Sequence, residues 1–172
     1  MIDQRALRSI MGASPKGVTV VTTVDAAGAP RGLTSNDVVS VSSEPPMLLV
    51  CINKSSTTLA ALRHSRKWAV NHLLAGTSEV SNRFATKLPD KFVGVEWRPG
   101  ELGVPVLQHA AMAYAECTTH QEIDAGDHVI LIGTVAAGQP PAPGTLPLLY
   151  FRRTYATWSE DQVEGSYVPQ GV

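Results

Sequence analysis

Hydrophobic and polar positions along the chain fall into short blocks, most of which carry the two-residue period or the unbroken apolar run of strands. Residues 18–24 are β-branched throughout and predict a strand, and the small residues at 25–30 predict a turn into the next strand, which makes a β-hairpin. Residues 38–42 alternate and predict a strand with Ser40 and Ser42 on one face. Residues 47–52 form a continuous apolar run fenced by Pro45-Pro46 and Asn53-Lys54, the pattern of a mid-sheet strand covered on both faces. Further strands are predicted over 68–74, 112–121, 129–136 and 148–152, with 122–127 as the turn between two long antiparallel members.

Three segments carry helical signals instead. Asp3 can cap a first helix with Leu7, Ile10 and Met11 on one face, ended by residues 14–17. Four hydroxyls at 55–58 precede Leu59 and Leu62 and predict a helix over 58–64, and Thr77 or Ser78 caps another over 77–84. Residues 87–103 lack periodicity and read as an ordered surface loop, and the proline-rich run at 138–144 is a loop before the last strand. From Ser159 the composition turns polar, so a domain over 1–158 and a mobile tail over 159–172 are expected. Six or seven strands joined by short turns, with helices at the periphery, predict a mainly β chain closed into a barrel.

At 172 residues the chain is long enough for one domain with a single core. A net charge of -1 with 17% charged residues leaves no electrostatic footprint for nucleic acid or an anionic membrane surface. The start lacks the basic and apolar regions of a signal peptide, and no apolar run approaches the ~18 residues that span a bilayer, so a cytoplasmic location without membrane contact is expected. Cys51 and Cys117 sit in apolar runs without a pairing motif, which predicts buried free thiols in a reducing compartment.

Several chemistries have nothing to rest on. The chain holds neither G-x-G-x-x-G nor a P-loop, no G-x-S-x-G elbow, and no metal-ligand spacing among His64, His72, His109, His120 and His128, so no metal is expected. What remains concentrates in residues 31–64. A helix start offers unpaired N–H groups and the positive end of its dipole, so Ser55, Ser56 and Thr57 beside Lys54 suit a phosphate, with plain capping as the alternative. The Asn53 amide at the strand-to-helix turn can donate to phosphate oxygens. Serines on the 38–42 strand can offer hydroxyls and backbone groups to the edge of a flat heteroaromatic ring, with a solvated strand face as the alternative.

The run GLTSNDVVSVSSEPPMLLVCI over 32–52 resembles the signature of the flavin reductase family, small FMN-binding split-barrel proteins with a G-M-T-A-N-S-F-x-S-V-S-x-x-P-P run. Asp37 stands where Ser or Thr is usual, and Val38 where an aromatic is common. Residues 16–23, Trp68-Ala69-Val70-Asn71, Asp90-Lys91-Phe92, Gly126-Asp127-His128 and Pro147-Leu148-Leu149-Tyr150 continue the likeness in the same order, so that it covers residues 5–158. The resemblance implies a Greek-key split β-barrel with short peripheral helices. It also implies a homodimer with the flavin near the subunit interface.

It further implies an NAD(P)H-dependent reductase of free FMN or FAD, with NADH or NADPH as hydride donor and a separate monooxygenase receiving the reduced flavin. A split-barrel flavoprotein that retains FMN, or a non-enzymatic flavin or haem-binding module, is the alternative on the same fold. Carried onto this chain, Thr34, Ser35, Asn36, Ser40, Val41 and Ser42 would hold the ring, Asn53, Ser55, Ser56 and Thr57 the phosphate, and Asp37, Cys51 and Ile52 join them as cofactor-binding candidates. His128 of the G-D-H motif would face the nicotinamide, its alternative being a turn residue. Arg83 and Phe84 resemble a segment near the flavin, against the plainer reading of a solvated charge and a core residue. Tyr155 joins the flavin candidates, with barrel-end packing as its alternative.

Overall fold

The computed structural model describes residues 1–158, and the tail expected over 159–172 lies outside the described residues. In chain order the elements are α1 (Gln4–Met11), β1 (Lys16–Gly17), β2 (Thr19–Val24), β3 (Pro30–Ser35), β4 (Val38–Ser43), β5 (Pro46–Asn53) and α2 (Leu59–Ser65). There follow β6 (Lys67–Leu73), α3 (Ser78–Ala85), β7 (Trp97–Pro99), β8 (Pro105–Leu107), β9 (Ala111–Ala125), β10 (His128–Gln139), β11 (Leu148–Phe151) and β12 (Thr154–Thr157). Seven strands make one antiparallel sheet in the order β3-β2-β6-β9-β10-β5-β4, and β1-β11-β12 and β7-β8 make two small ones.

The curl of the large sheet follows from one short connection. β3 and β4 stand at opposite ends of its strand order, yet only Asn36 and Asp37 join them. Three Cα steps reach about 11 Å at most, so the two edges must approach at that corner. Among the described residues no ladder pairs β3 with β4, and the barrel is therefore split along that line. The closed barrel expected from strand count is corrected to a Greek-key split barrel.

Its interior is filled by Val21, Val50, Ile52, Trp68, Val70, Val129 and Leu131, with Leu59 and Leu62 of α2 plugging one end. Trp68 is fully buried and its indole N–H donates to Thr119 Oγ1 at 3.1 Å, so truncating it to Ala would cost about 3–5 kcal/mol. A second cluster lies on the other side of β2, where Val18, Val20, Leu73, Phe84, Phe92 and Leu148 meet. The buried Asn71 ties the layers together: its amide donates to the Val20 carbonyl, and its Oδ1 accepts from Leu107 N–H at 2.9 Å. Glu116 is fully buried, and the backbone N–H groups of Glu101 and Leu102 donate to its carboxylate at 2.9 and 2.7 Å. These bonds match a charge that would otherwise be costly to bury.

Several expectations are corrected by this packing. The strand buried on both faces is β2, not β5: five of the six β2 residues are buried, whereas in β5 only Val50 and Ile52 are. The two long strands run further than expected, and Gly126-Asp127 alone turns between Ala125 and His128, with Gly126 at φ 65°. A glycine suits that first turn position because side chains avoid positive φ. β12 was not expected, and the loop over 87–103 contains β7. Asp3 caps α1 by accepting from Ala6 N–H at 2.7 Å, but Leu7, Ile10 and Met11 all remain exposed.

Candidate functional site

The site grows from the pleat of β5 and β10. Directly opposed residues share a face, and the register pairs His128 with Asn53, Ile130 with Cys51 and Ile132 with Leu49. All six are partly open, while the intervening Val129, Ile52, Leu131 and Val50 are core. Val39 continues the outer face beside Leu49, and Ile123 continues it beside Ile130. The result is an apolar sheet face with a polar end at Asn53 and His128.

His128 Nδ1 lies 2.7 Å from Asp127 Oδ1. A carboxylate can only accept, so Nδ1–H donates and Nε2 is left as the free ring nitrogen. The hydrogen bond from His128 holds the exposed Asp127 carboxyl below the usual carboxylate range. Asn53 is committed locally as well, because its Oδ1 accepts from Ser55 N–H at 2.8 Å. That bond leaves the Asn53 amide N–H₂ as the donor facing outward chemistry.

The phosphate site expected at the α2 start is largely spent on the turn itself. Ser56 N–H donates to the Asn53 carbonyl, Thr58 N–H to Ser56 Oγ, and Leu59 N–H to the Ser56 carbonyl. The Thr58 hydroxyl donates to the Gly32 carbonyl, and Lys54 turns away to Asp124 and the Gly126 carbonyl. The exposed Ser55 and Thr57 hydroxyls remain available, and Thr57 borders a cavity of about 370 Å³ with Arg31, Gly32, Thr58, Lys91 and Phe92. Lys91 is 8% exposed and donates to the Gly32 and Phe84 carbonyls at 3.0 Å each. Burial lowers its pKa below the ordinary lysine value. Its Asp90-Lys91-Phe92 motif was legible, but nothing in the sequence marked the ammonium as a cavity wall.

The other candidates separate. Ile52 is fully buried and Phe84 is 1% exposed in the core, so neither side chain can touch a ligand, which corrects both. Phe84 packs edge-on against Phe92 at 4.9 Å. Thr34 and Tyr155 belong to a polar knot around α3, where Thr34 donates to the Ser81 carbonyl and Tyr155 Oη lies 2.9 Å from Ser81 Oγ and donates to Asn82. Ser35 is buried and accepts from Asp37 N–H. A register shift between Ser40 and Ser42 breaks the expected alternation of β4 and leaves Val41 exposed. Arg83 is half-buried on α3.

Asn36 and Asp37, which bridge the barrel split, stay with the sheet face. Cys51 N–H donates to the Asp37 carbonyl at 3.2 Å, and burial, then the Asp37 charge, pushes the Cys51 thiol pKa up. Asn36 Oδ1 is buried without a partner. An orphaned acceptor of this kind is costly unless a ligand or water donates to it.

Residues 11–159 match the family profile described as flavin reductase like domain. The chain belongs to that family. Among the flavin reductase relatives, it is 47% identical over 163 residues to a flavin reductase (NADH) of Kitasatospora aureofaciens, covering 94% of this chain and 85% of the relative. It is 39% identical over 155 residues to the reductase subunit of a flavin-dependent monooxygenase of Mycobacterium tuberculosis, covering 90% and 82%. The structure superposes with a TM-score of 0.86 and 33% identity on an NADH:FAD oxidoreductase of Streptomyces globisporus solved with NAD and FAD fragments, covering 95% and 99%. Within the flavin reductase-like fold, the split at Asn36-Asp37 and the outer face of β5 and β10 thus form one continuous candidate site. Among the described residues no cluster of His, Cys, Asp or Glu could hold a metal.

Proposed function

We propose that the protein is an NAD(P)H-dependent flavin reductase acting on FMN or FAD, and that the flavin ring lies between Asn36 and the Cys51–Asn53–His128 end of the sheet face. The observation that carries this placement is the partly open face of β5 and β10, which ends in the directly opposed Asn53 and His128. When bound, the flavin supplies a ring nitrogen that accepts a hydride from the dihydronicotinamide carbon. The protein's share is positioning, since hydride transfer needs no base on the chain. Asn36, in the link across the split, borders the ring edge. His128, steadied by Asp127, presents Nε2 to the nicotinamide side. The Ser55 and Thr57 hydroxyls hold the flavin phosphate.

The same face is proposed to pair two copies of the chain. Val39 is 54% and Val41 45% exposed, more apolar surface than a solvated strand edge carries comfortably. A partner copy would cover it and wall the flavin. Reduced flavin would then pass to a separate monooxygenase, a reading supported by relatives that are reductase subunits of such enzymes. A cytoplasmic setting accords with the unpaired thiols of Cys51 and Cys117. No helix among the described residues is long and apolar enough to cross a membrane.

The test is NADH and NADPH oxidation by the purified protein with and without added free FMN or FAD. Turnover that rises with free flavin supports the reading. Retained yellow colour without turnover rejects it.

A further inference from the structure

A cleft of about 1030 Å³ lies between α1, the Asn36-Asp37 link and the β11–β12 hairpin. Its wall carries Arg5, Arg8, Lys16, Arg152 and Arg153 against the single carboxylate of Asp37, which Lys16 engages. Among the described residues none of the four arginines forms a salt bridge, although Arg152 rests 5.0 Å from the Phe151 ring centroid. Clustered cations repel one another, and the repulsion is relieved when carboxylates enter. These cations come from α1, β1 and the β11–β12 turn, so they outline a track and not a point.

Two features make the track more than scattered surface charge. Arg5 and Arg8 are three apart on α1 and therefore share a face. Arg152 and Arg153 form the two-residue β11–β12 turn with φ of 48° and 67°. That left-handed geometry is the one Asn-Gly adopts readily and arginine does not. The turn thus carries arginine against its backbone preference, and both guanidinium groups belong to the cleft lining. Guanidinium forks take carboxylates bidentately. Exposed Met11 and half-buried Tyr150 give the same lining an apolar component.

We infer that this cleft seats the chain's own segment 159–172, an intrachain contact that holds whatever the outer face of β5 and β10 binds. The segment follows directly on the β11–β12 hairpin, and it carries Glu160, Asp161 and Glu164 without a Lys, Arg or His. Its charge is opposite to that of the wall, and its carboxylates are spaced along the chain as the cations are along the track. The reach is sufficient. Trp158 stands five residues beyond Arg153, about 17 Å along an extended strand. The six residues from there to Glu164 span about 20 Å when extended, so the carboxylates can return to the turn. A short tether also gives the segment an effective concentration of about 1 mM, which favours it over a free anion of equal intrinsic affinity. Val163 and Tyr167 supply apolar side chains for Met11 and Tyr150.

Limited chymotrypsin digestion of the full chain tests the seat, with cleavage after Tyr167 followed by mass spectrometry and scaled to the same cleavage in free peptides of each 159–172 sequence. The proteins are the wild type, the pair Arg152→Asn with Arg153→Gly, the pair Arg5→Gln with Arg8→Gln, and the triple Glu160→Gln, Asp161→Asn and Glu164→Gln. The first pair installs a favoured turn, the second keeps good helix formers, and the triple leaves residues 1–158 untouched, so all should fold. Scaled cleavage should be about tenfold faster in each variant than in the wild type. Joining the triple to either arginine pair should add little, because partners in one contact are not additive. Salt at about 1 M, where the screening length is about 3 Å, should bring the wild type to the rate of the triple. A wild type cut as fast as its free peptide overturns the inference. Protection that survives both arginine pairs overturns it as well, since the segment would then lie on another surface.

Discussion

His128 stands directly opposite Asn53 across the β10–β5 ladder, on the partly open face of the sheet, with its Nδ1 tied to Asp127 at 2.7 Å. The arrangement fixes the ring without burying it, which suits a residue that orients a ligand. His128→Ala should slow flavin reduction or raise the nicotinamide KM while flavin affinity stays near wild type. A displacement near 1 Å can cost about a hundredfold in rate. Stopped-flow reduction across pH checks the role: a general acid or base would impose an ionisation on the rate that the variant loses. An unchanged rate and unchanged NADH binding would make His128 a turn residue.

Thr57→Ala and Ser55→Ala together should raise the flavin dissociation constant. A hydrogen bond to a charged group contributes about 1.5–3 kcal/mol, so one engaged hydroxyl predicts roughly a tenfold loss. Ser56 is the control, because its Oγ serves Thr58 N–H and its removal should loosen the turn instead. Fluorescence titration with FMN distinguishes them, and equal affinity in the double variant would move the phosphate elsewhere.

Gly32→Ala should destabilise the fold. A Cβ built there lies 2.6 Å from Phe84 Cε1, and Phe84 is hemmed in by Phe92. Overpacking of this kind costs about 1–3 kcal/mol, read as a lower urea midpoint at unchanged slope. Wild-type stability in this variant would mean that the ring can move, contrary to its place in the core.

His72 gives a pH signature. Burial lowers its pKa below the ordinary histidine value, so as pH falls the unfolded chain takes up a proton before the folded one does. Its contribution is complete above the unfolded pKa and is lost as pH falls through the folded one. His72→Gln should therefore lose less stability than wild type between about pH 7.5 and about pH 5.5 in urea titrations. Parallel losses would place the imidazole in water.

Much of the fold was legible because its signals are local. The β-branched run over 18–24, the Asp3 cap and the proline fence before residue 47 each predict an element without reference to neighbours. Burial was less legible, since the apolar run of β5 reads alike whether its second face meets the core or a ligand. That ambiguity produced the error at Ile52, whose side chain points inward while its neighbours Cys51 and Asn53 point out. Phe84 failed for a related reason: a motif match carries the segment near a ligand but not the direction of each side chain. The cleft of about 1030 Å³ between α1 and the β11–β12 turn was invisible because the arginines that line it come from positions 5, 8, 152 and 153, which only the fold brings together. β12 escaped because its residues Thr154–Thr157 offer Tyr155 as their only large apolar side chain.

The proposed homodimer can be tested without disturbing the core. Val39 is 54% and Ile123 38% exposed, and the register places both on the outer face with Leu49, Cys51 and Ile130. Light scattering should report about twice 18.3 kDa for the wild type. Val39→Lys puts a charge into the proposed interface at an edge strand, where a lone chain tolerates lysine well. The variant should therefore run as a monomer with an unaltered far-UV spectrum and a faster reaction of Cys51 with a thiol reagent. Cys117 provides the internal reference: it is fully buried and its pKa is pushed up to about 12, so its labelling should be slow in both proteins. If Val39→Lys stays dimeric with Cys51 still protected, the subunits meet through another surface. If the wild type is monomeric and fully active, the flavin site is complete within one chain and the apolar sheet face serves the ligand alone.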